Sequence, residues 1–237
     1  MTVQLRGVTT VLLPGTGSDD DYLRRAFGGA LVQAGAQLIT PVPQPRALIE
    51  GYLAALAAAD DAAGPDGKIA VGGVSLGAAV AVNWALAHPE RTVAVLAALP
   101  AWTGQPGQAP AAASARYAAG QLRQDGLDAA VAAMRSGSPA WLADELTRSW
   151  TAQWPGLPDA LDEAAGYVGP STEALRALPV PMGVAAAVGD AVHPVAVAAH
   201  WAGTAPHAAL CTVTLEEMGV RPAVLGDACV QALHRGR

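Results

Sequence analysis

Apolar positions along the chain fall into short solid runs and longer helical stripes, and the two alternate. "TTVLLPG" (9–15) is apolar and β-branched, and Pro14 and Gly15 stop it, which predicts a strand buried on both faces and then a turn. In "SDDDYLRRAFGGALVQAG" (18–35), Leu23, Phe27 and Leu31 recur every four residues. Ser18 or Asp19 can cap that helix, and Asp20 and Asp21 suit its first turn. "AQLITPVP" (36–43) reads as a second strand and "PRALIEGYLAALAAADDAAG" (45–64) as a helix. "KIAVGGV" (68–74) is a third strand, "LGAAVAVNWALAHP" (76–89) a helix that Pro89 ends, and "TVAVLAALP" (92–100) a fourth strand. Alternating strands and helices, with strands apolar on both faces, predict an α/β fold: a doubly wound, mostly parallel sheet.

The pattern changes after residue 100. "WTGQPGQAPAAAS" (102–114) is a Pro/Gly/Ala-rich link, and the stretch from about 114 to 178 reads as helices without a clear strand. "MGVAAAVGD" (182–190) restores a strand, "PVAVAAHWAG" (194–203) a helix, "AALCTVTL" (208–215) a last strand and "RPAVLGDACVQALHR" (221–235) a closing helix. The segment 103–179 is therefore expected to be a helical cap, inserted after the fourth strand of a single domain spanning 1–237.

Composition narrows the class. The 237 residues are 52% hydrophobic and 14% charged, a globular balance with enough chain for a well-buried core. A net charge of −6, with no basic run beyond Arg24-Arg25, argues against a nucleic-acid partner. No uninterrupted apolar stretch reaches the length of a membrane span, so no membrane partner is expected. The start lacks a signal-peptide layout, and the expected location is cytoplasmic. Cys211 and Cys229 show no metal spacing and read as reduced, buried thiols. Neither a metal nor a cofactor is expected.

The chemistry centres on "GGVSLGAA". Gly73-Val74-Ser75-Leu76-Gly77 lies between a strand and a helix, the setting of a nucleophile elbow. A tight strand-to-helix turn forces Ser75 to positive φ, and Gly73 and Gly77 avoid side-chain collisions there. Ser75 would sit beside a helix N-terminus, whose free N–H groups favour an oxyanion. The plainer alternative is a Gly-rich turn that only packs a helix onto the sheet.

With this elbow in this context, the chain resembles the α/β-hydrolase fold superfamily over nearly its whole length. "VLLPGTGS" resembles the turn after the first core strand, where the superfamily usually has His-Gly and this chain has Pro14-Gly15. The resemblance implies an oxyanion hole made by the backbone N–H groups of Thr16 and Leu76. "AAVGDAVHP" (186–194) resembles the segment that carries the acid, which implies that role for Asp190; the other reading of Asp190 is a turn residue before Pro194. The implied activity is serine hydrolysis of a carboxylic ester or related acyl bond.

The superfamily's histidine belongs after the last strand, and "TLEEMGVRP" (214–222) contains none. Reacting groups in such sheets lie beyond the carboxyl ends of the strands. His88 and His207 are expected at the opposite edge, His200 within a helix and His234 at the far end of the closing helix. His193 directly follows a strand's carboxyl end and is the candidate base. The alternatives are Glu216 or Glu217, which occupy the usual histidine loop, or no base at all.

Tryptophans supply candidate pocket walls. Trp102 follows the fourth strand, and Trp150 and Trp154 share a helix face if their helix persists to Pro155. Trp141 accompanies them in the cap, and Tyr22 follows the oxyanion turn. Each could equally be core. Asp19, Asp20 and Asp21 read as helix-capping residues before metal ligands. "PGTGS" lacks the Lys-Ser/Thr ending of a phosphate loop. With no Arg or Lys cluster, the expected partner is a small, largely apolar substrate. A non-hydrolytic enzyme of lyase or cyclase type, or a binding protein without chemistry, remains a rival reading.

Overall fold

In a computed structural model describing residues 3–236, six parallel strands form one sheet in the order β2-β1-β3-β4-β5-β6. The strands are β1 (Thr9–Leu13), β2 (Gln37–Ile39), β3 (Ile69–Val74), β4 (Thr92–Ala98), β5 (Met182–Val188) and β6 (Ala208–Thr214). The helices that connect them are α1 (Asp20–Gln33), α2 (Leu48–Ala62), α3 (Leu76–Ala87), α8 (Val195–Thr204) and the closing α10 (Ala223–Arg235). This is the doubly wound architecture that the alternation of runs and stripes predicts.

Successive strand residues point to opposite faces, so one strand feeds two cores. Val11 and Leu13 of β1, Ile69 and Val71 of β3 and Met182 and Val184 of β5 pack with Leu48, Tyr52 and Leu56 of α2, the apolar α3 and Trp201 of α8. Leu12, Ala70, Leu96 and Ala185 face the other way, against the Leu23, Phe27 and Leu31 stripe of α1 and Leu225, Cys229 and Leu233 of α10. Both cysteines are free and buried.

Two local expectations change. β2 pairs with β1 over only three positions, Gln37 to Ile39, instead of running through 36–43. It is an edge strand, and Pro41 and Pro43 lack the N–H that a longer ladder needs. The segment after β6 is not an open loop but a short helix, α9 (Leu215–Val220), started by a capping box between Thr214 and Glu217.

Between β4 and β5 lie α4 (Pro110–Ser136), α5 (Ala140–Gln153), α6 (Leu157–Gly166) and α7 (Thr172–Arg176). α4 is broken at Gly126, which adopts φ 79°. Leu122, Trp150, Leu157 and Leu161 form the apolar centre of this group. Among the described residues no helix is long and apolar enough to cross a membrane.

Candidate active site

Ser75 stands at the end of β3 with φ 55° and ψ −113°, a conformation that few non-glycine residues adopt. Its N–H donates to Ala98 O at 2.9 Å, which ties the turn to β4. The flanking glycines are steric necessities. A Cβ on Gly73 would lie 2.4 Å from Leu13 O, and one on Gly77 would lie 2.0 Å from the same oxygen. The end of β1 therefore presses directly against the elbow, and only glycine lets α3 start there.

His193 reaches this serine. Its Nε2 lies 3.0 Å from Ser75 Oγ and its Nδ1 lies 2.8 Å from Asp190 Oδ2. Gly189, at φ 87°, turns the chain off β5. Asp190 Oδ1 then accepts the N–H groups of Val192 at 2.8 Å and His193 at 3.0 Å, and Pro194 leads into α8. That side-chain-to-backbone turn lets residues three apart in the chain face each other. An ionised carboxylate only accepts, so Nδ1 carries the proton and the Nε2 lone pair faces the serine hydroxyl. Burial disfavours the Asp190 charge, but the bonds from the His193 ring and backbone and from Val192 outweigh it and hold the pKa below the usual carboxylate range.

The loop after β1 lies alongside. A Cβ on Gly15 would sit 3.5 Å from Ser75 Cβ. Ser18 N donates to Gly15 O at 3.0 Å, whereas neither Thr16 N nor Leu76 N is taken by a turn or loop hydrogen bond. Leu76 is the first residue of α3, so its N–H has no acceptor within its own helix. Thr16 follows Gly15 and Leu76 follows Ser75 in the chain, and Thr16 shares the cavity lining with the serine.

Glu216 and Glu217 are exposed, and the structure places neither at the serine. Glu217 Oε2 instead accepts Thr214 N at 2.7 Å to close the capping box. His88 stacks on Trp84 and His200 meets Thr172 Oγ1, both away from Ser75. The three aspartates act at the helix start: Asp19 Oδ1 accepts Tyr22 N at 3.0 Å, Asp20 pairs with Arg24 and Asp21 with Arg25. Among the described residues no three His, Cys, Asp or Glu side chains cluster as metal ligands.

A cavity of about 580 Å³ opens over Ser75, with Thr16, Asp190 and His193 at its base and Tyr22, Trp102 and Trp150 in its walls. Trp102 Nε1 donates to Tyr167 O at 3.2 Å, while Tyr22 Oη and Trp150 Nε1 are buried without a protein partner. Burial, with the nearby Glu145 and Asp190 charges, pushes the Tyr22 phenol pKa up. Trp154 departs from expectation. α5 ends at Gln153, so Trp154 leaves the helix face and lies 39% exposed, outside the cavity. Trp141, Leu142 and Leu146 of α5 line it instead.

Several contributors had no signal in the sequence. Leu99, at φ 49°, lines the cavity from the end of β4. Arg148 of α5 pairs with Asp19 and, at 2.6 Å, with Glu145, while Arg25 of α1 also reaches Glu145 at 2.6 Å. Arg148 and Glu145 are neighbours on one helix, but Asp19 and Arg25 come from a distant part of the chain, where periodicity is silent.

No family model and no curated protein matches this sequence. Solved structures do match. A thermophilic esterase from Thermogutta terrifontis is 20% identical with a TM-score of 0.64, covering 97% of this chain and 91% of that one. MenH from S. aureus is 15% identical with a TM-score of 0.71, covering 97% and 94%. The enol-lactonase from Burkholderia xenovorans LB400 is 16% identical with a TM-score of 0.62, covering 88% and 83%. At such identities the likeness establishes the fold.

Proposed function

We propose that this chain, which has the α/β-hydrolase fold, is a serine hydrolase that cleaves a carboxylic ester or related acyl bond of a small, largely apolar substrate. The observation that carries the reading is the hydrogen-bonded line from Ser75 Oγ through the His193 ring to Asp190 Oδ2, at 3.0 and 2.8 Å. His193 Nε2 takes the hydroxyl proton as Ser75 attacks the carbonyl, and Asp190 orients the ring and stabilises the imidazolium. Negative charge forms on the carbonyl oxygen, where the N–H groups of Thr16 and Leu76 and the α3 N-terminus favour it. His193 returns the proton to the leaving alkoxide. A water activated by the same nitrogen then hydrolyses the acyl-serine. The base comes from the acid's own loop, and α9 occupies the place after β6. An esterase and an enol-lactonase among the structural neighbours agree with this reading.

Treatment with a fluorophosphonate, followed by intact mass, tests it on wild type, Ser75→Ala and His193→Ala. A single adduct on wild type, absent from both variants, is expected. A folded wild type that takes no adduct overturns the hydrolytic reading and favours the lyase, cyclase or binding alternatives.

A further inference from the structure

We propose that helix α5 holds the oxyanion loop in its working shape and that Gln153 is the positioning residue; this rests on the serine-hydrolase reading above. The loop Pro14-Gly15-Thr16-Gly17-Ser18 is conformationally loose by composition, because two of its five residues are glycine. Gly17 stands at φ +71°. Within the loop the backbone makes one turn bond, from Ser18 N to Gly15 O. The Gly15 end is fixed against the elbow. The other end is fixed from outside.

Three consecutive residues there are each met by α5. Trp150 covers Gly17 so closely that a Cβ on the glycine would lie 2.8 Å from the indole Nε1. Gln153 Nε2 donates to Ser18 O at 3.0 Å. Arg148 pairs with Asp19, whose other carboxylate oxygen caps α1 at Tyr22 N. The Thr16 N–H lies between the fixed end and the held end, so its direction depends on both.

Gln153 is the informative member. It is 7% exposed, and its Nε2 also donates to Ser149 Oγ at 2.8 Å. Ser18 O can only accept, which sets the amide with nitrogen toward the loop. That orientation leaves Oε1 buried without a partner. An apolar side chain of equal length would remove that unmet acceptor but would also take the donor from Ser18 O and Ser149 Oγ. A buried amide that fastens the backbone of the loop beside Ser75 fits a role in the reaction. The oxyanion contact is made only as charge develops, so loosening the loop lowers the maximal rate and leaves ground-state affinity nearly unchanged.

The test measures labelling by a fluorophosphonate at several concentrations, for wild type, Gln153→Met and Gln153→Glu, together with melting temperature. Met keeps the length without a donor, and Glu keeps the shape but presents only acceptors to Ser18 O when ionised. Both variants are expected to lose about 10- to 100-fold in maximal labelling rate, a part of what deleting an oxyanion donor costs. Half-saturation should stay within about twofold, and Gln153→Met should melt close to the wild-type temperature, because losing the unmet Oε1 offsets losing the donor to Ser18 O. Wild-type rates in Gln153→Met overturn the proposal, because packing alone then suffices. A change confined to half-saturation also overturns it, marking a substrate contact. If Gln153→Met is unfolded, Gln153→Glu decides by the same two numbers. If both variants are unfolded, Gln153 serves the fold and the proposal fails. An unlabelled wild type removes the hydrolase reading and this proposal together, whereas labelled wild type with unaffected variants removes only this one.

Discussion

Asp190 and His193 are joined twice within one turn: the backbone N–H of His193 donates to Oδ1 at 3.0 Å and the ring Nδ1 to Oδ2 at 2.8 Å. One carboxylate shapes the turn and sets the ring tautomer. The two tasks separate by substitution. In Asp190→Asn the amide oxygen can still accept the Val192 and His193 N–H groups, but an NH2 faces Nδ1. The ring then carries its proton on Nε2 and cannot accept from Ser75. Steady-state kinetics should show kcat falling by about 10³- to 10⁴-fold, with only a few degrees lost in Tm. Asp190→Ala should lose the rate and a larger part of the stability, because the turn bonds go as well.

The same carboxylate makes stability depend on pH. Its folded pKa lies below the ordinary value of 3.8. A depressed carboxylate contributes stability that is fully present above the unfolded value and is lost as pH falls through the folded one. The Tm difference between wild type and Asp190→Asn should therefore be flat above about pH 5 and shrink below about pH 4. A difference that stays constant to about pH 3 would show that the bonds from His193 do not favour the charged form.

Much of the site was legible because its determinants are local. A solid apolar run, a Gly-x-Ser-x-Gly turn and an apolar helix lie next to one another in the chain, so Ser75 could be placed at the sheet's carboxyl edge from pattern alone. His193 could be singled out because parallel topology puts the end of every strand at that edge. What pattern did not reach depends on contacts between distant segments. Arg148 and Asp19, or Gln153 and Ser18, carry no mark of each other until α5 packs beside the start of α1. Trp154 misled for a local reason: a four-residue spacing counts only while the helix continues, and α5 stops one residue earlier. β2 fell short because an edge strand has one neighbour, and its prolines end the ladder.

The elbow's glycines give a paired stability test. Gly77→Ala puts a methyl group 2.0 Å from Leu13 O, and backbone on both sides leaves nothing flexible to yield. Chemical denaturation should show a loss of about 3 kcal/mol or more, or no folded protein. Gly29→Ala is the control: it lies within α1, and its added methyl meets nothing within 4 Å. It should gain about 0.5–1 kcal/mol from helix propensity. Equal effects at the two sites would contradict the close approach of β1 to the elbow.

Two tryptophans four residues apart should behave as opposites. Trp150 is buried among Leu122, Leu157 and Leu161 and covers Gly17. Trp150→Ala should cost about 3–5 kcal/mol through the space it leaves, and it also releases one of the three holds on the loop after β1. Its remaining folded fraction should label more slowly with a fluorophosphonate. Trp154, at 39% exposure and outside the cavity, makes no such contact. Trp154→Ala should stay within about 0.5 kcal/mol of wild type and label at the wild-type rate. Slow labelling in Trp154→Ala would mean that the end of α5 reaches further into the site than Gln153. Equal rates in Trp150→Ala and wild type would mean that the loop keeps its shape without the indole, leaving Gln153 and Arg148 to hold it.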